Sequence, residues 1–321
     1  MNPVTLRRHP LKFYFVIFFM AIFCCSLGGL ILWVGVRSGE RGESGYLTMV
    51  AFALVFILLG IFTVFKYFSN TPVVRADQYQ VTFNDTEAYQ WQDLSSVELS
   101  GKQPFKYLLT FQMEGMILRF RSGNEKYLYD DLYANTGEMK SFIQQVVVDK
   151  QAAFTYHKEN ANTGELPAET FVSFKGNQFT SLRGLTIWGM YAVIAIMLIS
   201  RPHYFDNINI PKFVLVFGAF CVAWFFFLSL LLNYFLVSEH YLVVKNHNLF
   251  WKNRIYKLSD IREVTIETQG KMPNSFRIIT KDFDSKVFPA GTLRDKHWRI
   301  LKEKLERKGI RVRNDSPFLN A

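Results

Sequence analysis

Four long apolar runs, charged only near an edge (Lys66 in the second, Arg183 in the third) and grouped in two pairs, constrain this 321-residue chain more than any other feature. They are Phe13 to Val36, Leu47 to Phe68, Leu182 to Ser200 and Phe213 to Phe235. Each is close to or above the roughly 20 apolar residues needed to cross a bilayer. The first run shares a basic start with cleaved signal peptides, but its length and the second run that follows at once predict a retained helix. Arg37 to Gly45, rich in glycine, and Arg201 to Lys212, with two prolines, read as short loops. Half of the residues are apolar, including 32 Phe, while a fifth are charged, so the two kinds must be segregated along the chain. The three cysteines, Cys24, Cys25 and Cys221, lie inside the apolar runs and read as small packing residues.

After each pair of runs the chain repeats a pattern. Tyr89-Gln90-Trp91-Gln92-Asp93-Leu94-Ser95-Ser96-Val97-Glu98-Leu99 is echoed by Tyr256-Lys257-Leu258-Ser259-Asp260-Ile261-Arg262-Glu263-Val264-Thr265-Ile266. An internal period of this size predicts two tandem units. Short β-type runs surround each copy. In the second they are Tyr241–Lys245, Leu249–Trp251, Arg254–Leu258, Val264–Thr268, Phe276–Thr280 and Lys286–Phe288, with a break at Gly270–Asn274. A helix over Leu293–Lys308 follows, with Leu293, His297, Leu301 and Leu305 on one face and Gly309 as its stop. The first copy has strands at Tyr79–Phe83, Glu87–Trp91, Val97–Ser100, Leu108–Met113 and Met116–Arg121, a turn at Asn84-Asp85, and a helix near Gly137–Val148. Asp93 and Asp260 then read as strand-ending residues whose carboxylates accept backbone N–H bonds. Leu94/Ile261 and Val97/Val264 point into a core.

The expected fold class is therefore an α+β membrane protein. It has four transmembrane helices in two hairpins, each followed by a small β-sheet or open barrel with a C-terminal helix. The predicted organisation is 1–71 tail and hairpin, 72–150 first β domain, 151–181 flexible linker, 182–236 second hairpin, 237–309 second β domain and 310–321 tail. The run Leu258-Ser259-Asp260-Ile261-Arg262-Glu263-Val264, placed after an apolar hairpin, resembles bacterial pleckstrin-homology-like membrane proteins, best over 234–309. The first copy fits more loosely, with Trp91 in place of an aliphatic residue. The resemblance implies a pleckstrin-like fold at the plasma (inner) membrane and no particular reaction.

Arg7, Arg8, Lys12, Lys66 and Arg75 flank one side of the first hairpin, and Arg37 and Arg41 the other. The positive-inside bias thus places the N-terminus and the first β domain in the cytoplasm. The second hairpin is nearly tied in charge, and an even number of spans returns the second β domain and the C-terminus to the same side. Trp33, Trp188, Tyr204 and Tyr234 fall at expected headgroup levels. Small residues at Ala21, Cys25 and Gly29, and at Ala219 and Ala223, suggest stripes for close helix contact. The absence of charge in mid-span argues against a pump or secondary transporter.

The net charge of +10 is uneven. Residues 237–321 hold eighteen Lys/Arg against ten Asp/Glu, whereas 72–181 hold ten against fourteen. Lys296, Arg299, Lys302, Lys304, Arg307, Lys308, Arg311 and Arg313 crowd the last helix and tail, a candidate lipid- or partner-binding set. Each basic residue near an anionic leaflet contributes about 1 kcal/mol. The alternative is a solvated helix face with i,i+4 pairs to Glu303 and Glu306. Opposite charge on the two β domains also suits docking of one on the other or on a charged partner. Nucleic acid is not expected, for lack of a reading helix or aromatic platform.

The histidines His9, His157, His203, His240, His247 and His297 are scattered, and no glycine-rich phosphate loop or nucleophile elbow occurs. The expectation is a non-enzymatic protein without catalytic, cofactor or metal residues. It presents its domains to another membrane or cytoplasmic protein or to membrane lipids, with lipid handling by the basic second domain as the alternative.

Overall fold

A computed structural model describes residues 3–42, 44–158, 164–200, 210–268 and 272–316. The chain is α+β and separates into two compact units, Met1–His157 and Lys158–Ala321. The expected Arg201–Lys212 loop, with Tyr204 and His203, lies largely outside the described residues, as do Gly270 in the predicted break and the end of the tail after 316.

In the first unit, β1 (Val4–Thr5) leads into a π-helical turn (Pro10–Phe15), α1 (Val16–Glu40) and α2 (Tyr46–Asn70). Then come β2 (Val74–Ala76), β3 (Gln80–Phe83) and β4 (Glu87–Gln90). These strands form one antiparallel sheet in the order β1-β2-β3-β4. A second sheet contains β5 (Leu94–Lys106), β6 (Thr110–Phe120) and β7 (Glu125–Tyr129), followed by α3 (Thr136–Phe142) and one π-helical turn (Ile143–Val148). Sequence patterning splits β6 in two because Gly115 interrupts the apolar alternation. That glycine is required, since a Cβ there would lie 2.5 Å from the Leu128 carbonyl oxygen on β7. At the β3–β4 turn Asn84 and Asp85 both take positive φ, the conformation their short polar side chains tolerate best.

The Pro10–Glu40 and Tyr46–Asn70 helices are each long and apolar enough to cross a bilayer, with mean hydropathies of 2.6 and 2.7. Most of their large apolar side chains, among them Phe19, Leu47, Leu58 and Phe65, are exposed, unlike those of a soluble core helix. The two helices meet through small residues, one position away from part of the expected stripe. A Cβ on Gly28 would sit 2.8 Å from the Ala53 carbonyl oxygen, and one on Gly60 would sit 3.1 Å from the Ala21 carbonyl oxygen and the Cys25 sulfur. Nothing approaches Gly29.

The second unit has its own first strand, β8 (Val172–Phe174), within the segment expected to be a flexible linker. After it come α4 (Leu182–Ser200), α5 (Ile210–Ser229), β9 (Asn233–Val237), β10 (Tyr241–Asn246) and β11 (Asn253–Lys257). The four strands form a sheet in the order β8-β9-β10-β11. A second sheet is ordered β14-β13-β12-β15, from β12 (Ile261–Glu267), β13 (Ser275–Thr280), β14 (Ser285–Pro289) and β15 (Arg311–Asp315). Helix α6 (Asp295–Arg307) packs on both sheets.

One expectation is met in part and three change here. Among the described residues two helices, not four, meet the criteria for a span, because the apolar described parts of α4 and α5 are Leu182–Met197 and Leu215–Ser229. The fourth run stops being helical at Ser229, and Tyr234 belongs to a strand. There Asn246 and Asn233 donate their Nδ2 groups to the Ser229 and Leu230 carbonyls, 2.7 and 3.1 Å, satisfying the open end of α5. Leu249–Trp251 is a turn, since the Asn246 carboxamide oxygen accepts the Asn248 and Leu249 N–H groups and so ends β10. The supposed tail contributes β15, which pairs in parallel with β12.

In each unit the helical hairpin is inserted between two antiparallel strands that pair with each other. Val4 faces Ala76 across β1–β2, and Phe174 faces Phe235 across β8–β9. Both ends of each hairpin therefore leave from neighbouring strands of one sheet.

Candidate functional site

The repeated motif builds the same corner in both units. Trp91–Asp93 and Leu258–Asp260 each form one 3-10 turn linking the first sheet to the second. The Trp91 N–H donates to the Tyr79 carbonyl at 2.9 Å, and the Leu258 N–H to the His240 carbonyl at 2.8 Å. The Arg121 N–H reaches the Asp93 carbonyl and the Lys281 N–H the Asp260 carbonyl, both at 2.8 Å. A β-bulge follows in each copy, after Leu94 and after Ile261. The backbone carbonyls of Asp93 and Asp260 do the joining, not their carboxylates: among the described residues the Asp260 carboxylate bonds the Ser259 hydroxyl, and Asp93 is exposed. Ile261 and Val264 are buried in the second core, while Leu94 and Val97 are only half-buried.

Helix α6 sits where it does because of Trp298, Leu301 and Leu305, which fill the space between the sheets beside Phe235 and Phe276. Of the expected face, Leu301 and Leu305 are buried and Leu293 packs against the core, while Trp298 takes the place given to His297. The helix stops at Gly309, with φ +75°. Gly309 N–H bonds the Glu306 carbonyl and Ile310 N–H bonds the Leu305 carbonyl, a double closure that only a left-handed residue permits.

The C-terminal half of α6 forms one wall of a cleft of about 590 Å³. Its floor is apolar, with Val172 and Phe174 of β8, Leu258 of the corner and Ile300 of the helix. Its rim carries both signs of charge. A smaller hollow of about 360 Å³, bordered by Glu169, Ser238 and His240, continues from it and shares Glu239 and Lys304. Lys308 donates to a Glu239 carboxylate oxygen at 2.7 Å, and this bond holds the Glu239 carboxyl below the usual carboxylate range. Glu169 is lowered in the same sense by hydrogen bonds from Ser238 and His240. Arg307 pairs with Glu303 at 3.5 Å. Lys304 stands between the two hollows with no carboxylate within ion-pair distance among the described residues.

The basic residues singled out in the sequence do not form one patch. Arg307 and Lys308 line the cleft. Lys302 pairs with Glu306 at 3.9 Å, and Arg311 and Arg313 both turn to the buried carboxylate of Glu263, at 3.7 and 3.1 Å. Lys296 and Arg299 are exposed near the start of α6. Sequence reading missed Glu239 and Glu263, which lie far along the chain from the cations they meet. It also missed β8, whose Val-Ser-Phe alternation is strand-like but too short to stand out until it pairs with β9.

The chain matches no family model and no curated protein. Among the described residues no three His, Cys, Asp or Glu side chains gather as metal ligands would. The cleft offers contact surface: an apolar floor, alternating charge and, beside it, β8 as the edge strand of its sheet.

Proposed function

We propose that this chain is a multi-pass plasma (inner) membrane protein that holds two pleckstrin-homology-like modules at the cytoplasmic face. In this reading it acts by binding a partner protein and not by catalysis. All four apolar helices span, in two hairpins, and the units are tandem copies. Two features support the copy relation: the shared corner motif and the common order of strand, helical hairpin, three strands, corner, three strands and helix. The flanking Arg7, Arg8, Lys12, Lys66 and Arg75 support the orientation.

The observation that carries the binding reading is the cleft beside α6. Edge strands accept an extended segment by main-chain bonding, with side chains dropping into neighbouring pockets. A segment added along β8 would lay apolar residues on Val172 and Phe174 and charged ones on the mixed rim. A membrane surface suits this face less well, because five of the eight cations from Lys296 to Arg313 already face carboxylates.

A photo-crosslinking residue in place of Ile300, in the full chain in native membranes, tests the reading. The expected result is a discrete protein adduct that Val172→Asp abolishes and that the same probe at Lys296 does not form. Adducts of phospholipid mass alone at position 300 would move the assignment to lipid handling. No adduct at all would remove the cleft as a binding site.

A further inference from the structure

The β5–β6 hairpin of the first unit is far longer than its counterpart. Strand β5 has 13 residues, whereas β12, which follows the same corner in the second unit, has 7. The extra length is a regular ladder from Gly101 opposite Gly115 to Lys106 opposite Thr110. It runs back along α2. The Asn70 side chain at the end of that helix donates to the Lys106 carbonyl at 2.9 Å, and the Tyr107 hydroxyl lies 2.5 Å from the Thr63 hydroxyl. The Tyr107 ring also packs against Phe62 and Tyr67, with centroids 5.7 and 5.8 Å apart. From Asn70 to Thr63 the hairpin climbs about 10 Å of helix at 1.5 Å per residue.

Its tip is wrong for water. Exposed hairpin turns are built from Gly, Asn, Asp, Pro and Ser, but this one reads Lys106-Tyr107-Leu108-Leu109-Thr110. Leu108 is 62% exposed, Leu109 72% and Phe111 49%, and Leu58, Ile61 and Phe65, on the face of α2 turned away from Thr63 and Tyr67, are equally bare. Lys66 stands in the last turns of α2, toward the module, and Lys106 is the last ladder residue before the tip.

We infer that the β5–β6 hairpin dips into the cytoplasmic leaflet, with Leu108 and Leu109 among the acyl chains and Tyr107, Lys66 and Lys106 at the headgroups. This rests on the reading of α2 as a span. The depth suits both partners: aromatic rings and lysines favour the interface, and the ladder pairs the strand backbone up to Lys106 and Thr110. Only the three-residue turn Tyr107–Leu109, closed by a Tyr107 N–H bond to the Leu109 carbonyl at 3.3 Å, reaches past it. The hairpin would act as a further foot beside the two helix ends that leave the first sheet, fixing the tilt of the module against the membrane.

The test uses the full chain in phospholipid vesicles, with Cys24, Cys25 and Cys221 changed to Ala. An environment-sensitive fluorophore is placed on Leu109→Cys, with Leu108→Cys as a second tip site, Leu58→Cys as the span reference and Ser122→Cys on the β6–β7 turn as the water reference. Tip probes should be blue-shifted and lose most of their emission to lipids brominated near the headgroup end of the acyl chain, as the Leu58 probe should with deeper bromines. The Ser122 probe should respond only to aqueous iodide. Iodide-quenched tip probes beside a lipid-quenched Leu58 probe would overturn the foot and leave the span intact. Iodide quenching at Leu58 as well would overturn both. Blue-shifted tip probes indifferent to either quencher would mean that a protein, such as a second copy, covers the tip, and would also overturn it.

Discussion

Trp298 is the side chain on which the cleft wall depends, and replacing it has a calculable cost. Its side chain is fully buried between the two sheets of the second unit, near Phe235 and Phe276. An indole of that kind removes roughly 150–250 Å² from water, about 4–6 kcal/mol at 25 cal/mol per Å². Large-to-small core substitutions measured in proteins centre a little lower, at about 3–5 kcal/mol for Trp→Ala. A loss of about 4 kcal/mol corresponds to roughly a thousandfold change in an opening equilibrium. Amide hydrogen exchange on the full-length protein in detergent reads it directly: in Trp298→Ala the α6 and β15 amides should lose about three orders of magnitude of protection, while β5–β7 stays unchanged. Trp298→Phe is the informative control. The indole N–H meets no acceptor among the described residues, and an unsatisfied buried donor costs about 1–3 kcal/mol. Phe removes that donor while keeping most of the ring, so the net change should stay within about 1 kcal/mol. If Phe proved as damaging as Ala, or if Ala left α6 protected to within about tenfold of the parent, this account of how the helix is held would be wrong.

Arg277 and Glu267 form a fully buried pair at 2.9 Å between β13 and β12. Glu267→Gln or Arg277→Met alone should cost about 3–5 kcal/mol by stranding a charge, and the double replacement Glu267→Leu/Arg277→Met should recover most of it, as seen in exchange of the β12–β13 amides. His247 is held near neutrality by burial and by Lys175, its pKa lowered from 6.5 to about 4. The unfolded form therefore takes up the proton first. Stability of the β10 end should be level above pH 6.5, fall as pH drops from 6.5 to 4 and level again below. His247→Gln should abolish that slope in pH-dependent exchange. Gly28→Leu should separate α1 from α2, because its Cβ meets the Ala53 carbonyl oxygen at 2.8 Å, whereas Gly29→Leu, with nothing nearby, should leave thermal stability in detergent unchanged.

Local features were legible in the order of residues alone. Apolar runs dictate helices, because an uninterrupted greasy segment has no other way to satisfy its backbone in lipid. Asn84-Asp85 and Gly309 marked turns through their tolerance of positive φ. The corner repeat marked two units through a pattern that recurs after each hairpin. Tertiary structure decided everything that joins distant positions. Strand β8 exists only because β9 returns beside it after two helices, and β15 only because β12 offers an open edge. The cations of α6 and β15 looked like one basic surface until folding brought Glu239 to Lys308 and Glu263 to Arg311 and Arg313. Charge in a sequence is a sum, but charge on a surface is what remains after pairing, and pairing is set by which elements pack.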